Sequence, residues 1–201
     1  MPDEITVVEE SVITDSAARL RLWSIYRNGF AALNRRTPIH HGGFSAAQFE
    51  TVLQDGDFRK FLVYVRDELV GVTLLTNALH KVPWVNAAYF EERYPDPVAA
   101  GKIYYLPAVV IDPKHQDLRR IGAKLLQEAL TSLGRDSILA VDYSETLRQR
   151  LPAFVSRGLD IEFKQEVLDR LVYQIFYCED PDQLSPGPEN EPRPLPDPEV
   201  G

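Results

Sequence analysis

The stretch Val109-Val110-Ile111-Asp112-Pro113-Lys114-His115-Gln116-Asp117-Leu118-Arg119-Arg120-Ile121-Gly122-Ala123-Lys124-Leu125-Leu126 decides how the rest of the chain is read. An apolar strand stops at a proline, crosses a short polar loop and enters an amphipathic helix beginning near Leu118 to Arg120. A helix N-terminus presents unpaired N–H groups and a partial positive charge, which suits a phosphate. Gly122 and Ala123 are small, so a bulky ligand can approach the backbone there. Lys114, Arg119, Arg120 and Lys124 fall within the eleven residues 114–124, opposed there by one acid, Asp117. Cations near the positive end of a helix dipole cost energy unless an anion binds, so we read an anion site. The competing reading is the solvated face of a helix.

Working outward, Ile103-Tyr104-Tyr105-Leu106-Pro107-Ala108-Val109-Val110-Ile111 is apolar on both faces and reads as a central strand. Pro107 cannot donate to a ladder, so the strand is expected to bulge or splay there and to free amides near Ala108 to Ile111. Downstream lie a strand at 137–141, a helical stretch at 145–158 interrupted by Pro152, and strands at about 161–168 and 171–178. Upstream, Ile5-Thr6-Val7-Val8 reads as a strand. Asp15 or Ser16 caps a helix carrying Leu20, Leu22, Trp23, Tyr26, Phe30 and Leu33. Ser45 caps a second, with Phe49, Val52 and Leu53. Residues 61–65 and 69–75 form a hairpin around Arg66-Asp67-Glu68. Residues 77–101 read as an irregular connection, long enough to be functional.

The chain has 201 residues with one cysteine, Cys178, which excludes an intrachain disulfide and a cysteine-built zinc site and fits a cytoplasmic, reducing compartment. No apolar run approaches the roughly 20 residues of a membrane helix, so no membrane partner is expected. The net charge is −8, and residues 179–201 alone carry −6 with seven of the fifteen prolines. We therefore read a folded domain at 1–178 and an acidic, proline-rich disordered tail at 179–201. The remaining −2 provides no basic footprint, so nucleic acid is not expected as a partner.

With these elements in order, the chain resembles the GNAT superfamily of acyl-CoA-dependent N-acetyltransferases. Ile111-Asp112-Pro113 is similar to the family's Val-x-Pro strand ending. Residues 117–122 stand in its pyrophosphate loop, and Leu125-Leu126 match its apolar helix pair. Ala153-Phe154-Val155-Ser156-Arg157-Gly158-Leu159 and Leu168-Asp169-Arg170-Leu171-Val172-Tyr173 resemble its closing segments. The resemblance implies an α+β, three-layer fold. Its sheet is mixed and mostly antiparallel, with about seven strands flanked by about four helices and splayed between the fourth and fifth strands. It also implies acetyl-CoA or another acyl-CoA as co-substrate, a small-molecule or peptide amine as acceptor, direct attack on the thioester, and a homodimer. Val109, Val110, Ile111, Asp117, Leu118, Arg119, Arg120, Ile121, Gly122 and Ala123 then hold the cofactor.

Two positions depart from the family pattern. Arg120 replaces the first loop glycine, either narrowing the cradle or contacting phosphate directly. Phe154 stands where many members carry a tyrosine that protonates the departing thiolate. These departures motivate a rival reading, a catalytically inactive fold serving as a CoA-binding or protein-interaction module. For proton transfer, His80 and Tyr105 are the candidate catalytic residues, with Tyr104 and Tyr143 also near the expected cleft. Trp84, Tyr89, Phe90 and Tyr94, with Glu91, Glu92 and Asp96, are expected to shape an acceptor pocket for a partly apolar, cationic amine. His40-His41 has no third ligand nearby, and no metal is expected.

Overall fold

Parity along the central strand organises the molecule. The computed structural model describes residues 4–34, 43–115, 118–134, 136–143 and 166–169. Strands β1 (Ile5–Glu10), β2 (Phe58–Val65), β3 (Glu68–Thr76), β4 (Ile103–Ile111) and β5 (Ile138–Ala140) form one sheet in chain order. The first four pair antiparallel, and β4 pairs β5 in parallel. On one face lie α1 (Ser16–Asn34) and α2 (Ala46–Gln54); on the other lies α5 (Leu118–Thr131). The expected α+β, three-layer, mixed and mostly antiparallel architecture is therefore present. Five of the expected strands lie among the described residues.

The expected bulge sits at Pro107. Leu74 faces Ala108 and Thr76 faces Tyr105, so Leu106 and Pro107 together oppose Leu75 alone. One extra residue inverts the strand's parity. Ile103, Tyr105, Ala108 and Val110 accordingly join the α1–α2 core, while Leu106, Val109 and Ile111 face α5.

Local signals explain the helices. The Asp15 carboxylate accepts from the Ala17 and Ala18 amides at 3.0 and 3.3 Å. Ser45 and Gln48 form a reciprocal capping box at the start of α2. Phe49, Val52 and Leu53 are buried, and Phe49 packs on Tyr26 with ring centroids 4.4 Å apart. Ile121, Leu125, Leu126, Ala129 and Leu130 bury one face of α5. Leu20, one of the apolar residues carried by α1, is 72% exposed.

The connection 77–101 is not irregular. It holds a 3-10 turn (Leu79–Lys81), α3 (Ala87–Arg93) and α4 (Pro95–Ala99). Pro95 occupies the first turn of α4, where its missing N–H has no helical partner to lose. The segment closes on itself where the Asn77 amide donates to the Gly101 carbonyl at 3.1 Å, with Gly101 at φ 65°.

Strand β2 begins three residues earlier than its apolar run, because Lys60 is fully buried. Its ammonium donates to the Ser11 and Asp55 carbonyls at 2.6 and 2.5 Å. Burial pushes its pKa down to about 8 from the ordinary 10.5, against the pull of the Asp55 carboxylate. Below that value the group is charged in both native and unfolded chains. Above it the native chain is neutral there while the unfolded chain keeps its proton, so stability rises with pH up to the unfolded value. Between about pH 7.5 and about pH 9.5, wild type should gain on the order of 1 kcal/mol over Lys60→Met in urea denaturation. Parallel curves for the two proteins would refute that coupling.

The chain divides into two units, residues 1–165 and 166–201. In the second, the described residues 166–169 are exposed and lie in neither helix nor strand, so the expected strand at 161–168 is absent from its last three positions. The remaining readings lie outside the described residues: His40 and His41, the helical stretch with Phe154, residues 170–178 and the tail.

Candidate functional site

Pairing between β4 and β5 covers only Ile103↔Ile138, Tyr104↔Leu139 and Tyr105↔Ala140. The bulge explains why it stops. Backbone groups alternate between the two neighbours of a strand. The Asp112 amide donates to the Val70 carbonyl at 2.7 Å, which fixes Val110 and Ala108 as the residues bonded to β3. Pro107, Val109 and Ile111 therefore turn their backbones toward the β5 side. Proline brings no N–H to the first of these positions, so the ladder ends there. Beyond it the Val109 and Ile111 amides face a side along which no described strand is paired.

The loop after β4 is locked by Asp112, which is 1% exposed. One carboxylate oxygen accepts from the Lys114 amide at 3.1 Å, and the other pairs with the Arg21 guanidinium at 2.8 Å. The Asp112 carbonyl accepts from the His115 amide at 3.1 Å. Arg21 of α1 also donates to the Leu69 carbonyl at 3.2 Å and pairs with Glu68 at 3.1 Å. The turn from β4 toward α5 is thus tied to α1 and β3.

At the start of α5, Arg119 and Arg120 are exposed, Ile121 and Gly122 are buried, and Ala123 is half-buried. Lys124, one of the four clustered cations, pairs with Glu128 one turn on. Asp117 and the Leu118 side chain lie outside the described residues.

Of the two candidate catalytic residues, Tyr105 is buried where the strands part. Its hydroxyl accepts from the Trp84 indole N–H at 2.7 Å and donates to the Asp142 carboxylate. Burial, and next the Asp142 carboxylate, push the Tyr105 pKa far above its ordinary value, opposed by the Trp84 donor. His80 sits on the 3-10 turn and is exposed; no described contact joins it to the Tyr105 hydroxyl. Tyr104 packs toward α5, on the opposite face from Tyr105.

Trp84, Phe90 and Tyr94 pack against the α1–α2 core, and Trp84 lies 4.9 Å from Phe44 between ring centroids. Tyr89, Glu91, Glu92 and Asp96 are exposed. Asp142 was not among the residues expected at the site. It follows β5 and meets Tyr105 across 37 residues, a pairing visible only once the two strands are laid in parallel.

Two grooves of about 280 and 460 Å³ flank β1, lined by Phe61 and Glu128 in one and by Tyr64 and Arg66 in the other. They lie at the sheet edge opposite β5 and do not include the β4–β5 opening. Among the described residues no cluster of acids, histidines or cysteines is suited to a metal ion.

No protein-family model matches the sequence, and no curated protein matches it. Solved structures do match in fold. An aminoglycoside acetyltransferase, meta-AAC0020, from an uncultured soil metagenomic sample, in complex with trehalose, superposes with a TM-score of 0.52 at 14% identity, over 85% of this chain and 96% of that one. FeeM, an N-acyl amino acid synthase from uncultured soil microbes, gives 0.51 at 14% identity, over 74% of this chain and 76% of that one. A second metagenomic aminoglycoside acetyltransferase, HMB0005, gives 0.50 at 15% identity, over 86% and 99%. The chain has the acyltransferase fold that its resemblance to the GNAT superfamily implies.

Proposed function

We propose that the protein is an N-acyltransferase that moves an acetyl or longer acyl group from acyl-CoA to a small-molecule or peptide amine. The observation that carries this reading is the opening between β4 and β5, with the Val109 and Ile111 amides turned into it and α5 beginning just beyond. An extended pantetheine arm carries amide groups that pair with strand backbone, and its diphosphate suits helix amides. Val109 and Ile111 would pair with the arm, with Val110 between them bonded to β3; Asp117, Leu118, Arg119, Arg120, Ile121, Gly122 and Ala123 would cradle the diphosphate. Exposure of Arg120 fits direct phosphate contact better than a blocked cradle.

When bound, the thioester supplies an activated acyl carbon. The chain's own part is to orient that carbon and to hold its oxygen as negative charge develops, a task for backbone amides at the bulge. Solved neighbours named as aminoglycoside acetyltransferases and as an N-acyl amino acid synthase support acyl transfer to nitrogen and leave both acetyl and longer acyl donors in view. No helix among the described residues is long and apolar enough to cross a membrane. The single cysteine fits a reducing compartment, and on that ground we propose the cytoplasm as the setting of the reaction.

Release of free thiol from acetyl-CoA over a panel of amines tests the reading. Turnover above the uncatalysed rate is expected, whereas cofactor binding without turnover would favour the non-catalytic module. Arg120→Glu replaces attraction to phosphate by repulsion and should weaken acetyl-CoA binding about tenfold. Unchanged affinity in calorimetry would remove Arg120 from the site.

A further inference from the structure

We infer that Asp142 is the carboxylate that receives the acceptor amine, with Trp84 and Tyr105 as the arm that positions it; this rests on the acyltransferase reading. The first support is placement. Ile138 and Ala140 of β5 pack with the α1–α2 core, as do Ile103 and Tyr105. Two residues past Ala140, Asp142 reaches the Tyr105 hydroxyl where the β4–β5 ladder has just ended. It therefore stands at the mouth of the opening, on the side covered by α1 and by the connection 77–101. The donor's cradle, by contrast, begins on α5 at the opposite face.

The second support is the hydrogen-bond inventory. A tyrosine hydroxyl has one proton to give. Here that proton goes to Asp142, and the oxygen accepts the Trp84 N–H. Tyr105 is buried and has both roles filled, so it acts as a positioning residue. Asp142 is exposed, and an ionised carboxylate accepts at about four sites, of which Tyr105 takes one. A carboxylate presented outward from a fixed arm recognises a cation or an N–H donor. The acceptor is then a cationic amine.

In the reaction the ammonium docks on Asp142 and loses a proton to solvent. The neutral nitrogen, held by Asp142, attacks the thioester carbon. A C–N bond forms, and the carbonyl electrons move to oxygen. Collapse breaks the C–S bond, the sulfur leaves with the electron pair, and the nitrogen's surplus proton passes to the thiolate, directly or relayed through Asp142. The products are an amide, CoA thiol and one proton.

Spermidine and tobramycin serve as cationic probes, with thiol release as the rate and calorimetry with acetyl-CoA as the control, on the full chain. Asp142→Asn should lower kcat/KM for these amines about 100-fold while acetyl-CoA affinity stays within about twofold. Asp142→Glu, which keeps the charge, should recover part of that loss. Tyr105→Phe should cost about tenfold in wild type and less than about twofold in the Asp142→Asn background, the non-additivity expected when one residue acts through the other. Unchanged turnover in Asp142→Asn overturns the assignment and leaves the acyltransferase reading standing. Additive losses overturn the positioning role of Tyr105. Acetyl-CoA binding by wild type with no turnover of either amine overturns the cationic acceptor. Absence of acetyl-CoA binding by wild type overturns the acyltransferase reading and, with it, this one.

Discussion

Gly71→Ala is expected to destabilise the fold by about 3 kcal/mol, the cost of forcing one methyl into a packed core. Gly71 lies in β3 opposite Ile111 and Val63. A Cβ built there would stand 2.7 Å from the Val110 carbonyl oxygen, 2.9 Å from Val63 Cγ1 and 3.3 Å from Ile111 Cα. Two of those three neighbours are backbone of the central strand and cannot rotate aside. Relief requires β3 and β4 to separate beside Ile111, whose amide is turned into the opening. For a domain of this size the loss corresponds to a melting point lower by roughly 6 to 12 °C. A melting point within about 2 °C of wild type would show that the strands give way cheaply.

Asp112→Ala is the second large effect, expected at about 2 kcal/mol. The substitution strips a buried carboxylate from Arg21 and leaves the Lys114 amide without its acceptor. Removing one member of a buried ion pair usually costs more, but Arg21 is 32% exposed and keeps Glu68, which limits the loss. Asp112→Asn should cost less, since the amide oxygen still closes the turn onto Lys114. The loop held by Asp112 leads into α5, so Asp112→Ala should also weaken acetyl-CoA binding about tenfold through lost preorganisation. Urea denaturation and calorimetry on the same preparations separate the two effects. A stability loss with unchanged affinity would detach the loop from the cofactor site.

Features set by neighbours in sequence were legible before the structure. The apolar run of β4 gave both its limits, and Pro107 alone marked its bulge, because a missing N–H is a local fact with a fixed consequence. Asp15 and Ser45 announced their helices for the same reason. Where tertiary context overrides local pattern, the sequence misleads. Lys60 looks like a surface residue ending a loop until the Ser11 and Asp55 carbonyls are found around its ammonium. Pro95, Asn86 and Pro97 look like breakers, yet α3 and α4 are short enough to form between and upon them. Leu20 satisfies helical spacing and still faces water.

The candidate site divides along the same line. Ile111 through Gly122 declared itself as a contiguous stretch. The Trp84–Tyr105–Asp142 network did not, since each member is unremarkable locally and only the parallel register of β4 and β5 brings Tyr105 and Asp142 together. Tyr105 stands out in the sequence as a candidate for proton transfer, but the Trp84 and Asp142 partners of its hydroxyl become visible only in the fold.

Amide proton–nitrogen spectra of the full chain titrated with CoA probe the opening beside β4 most directly. If the cofactor lies there, the Val109, Ile111 and Gly122 signals move together and saturate at one stoichiometric equivalent. Signals at these three positions that stay still, while CoA binds elsewhere or not at all, would contradict the placement.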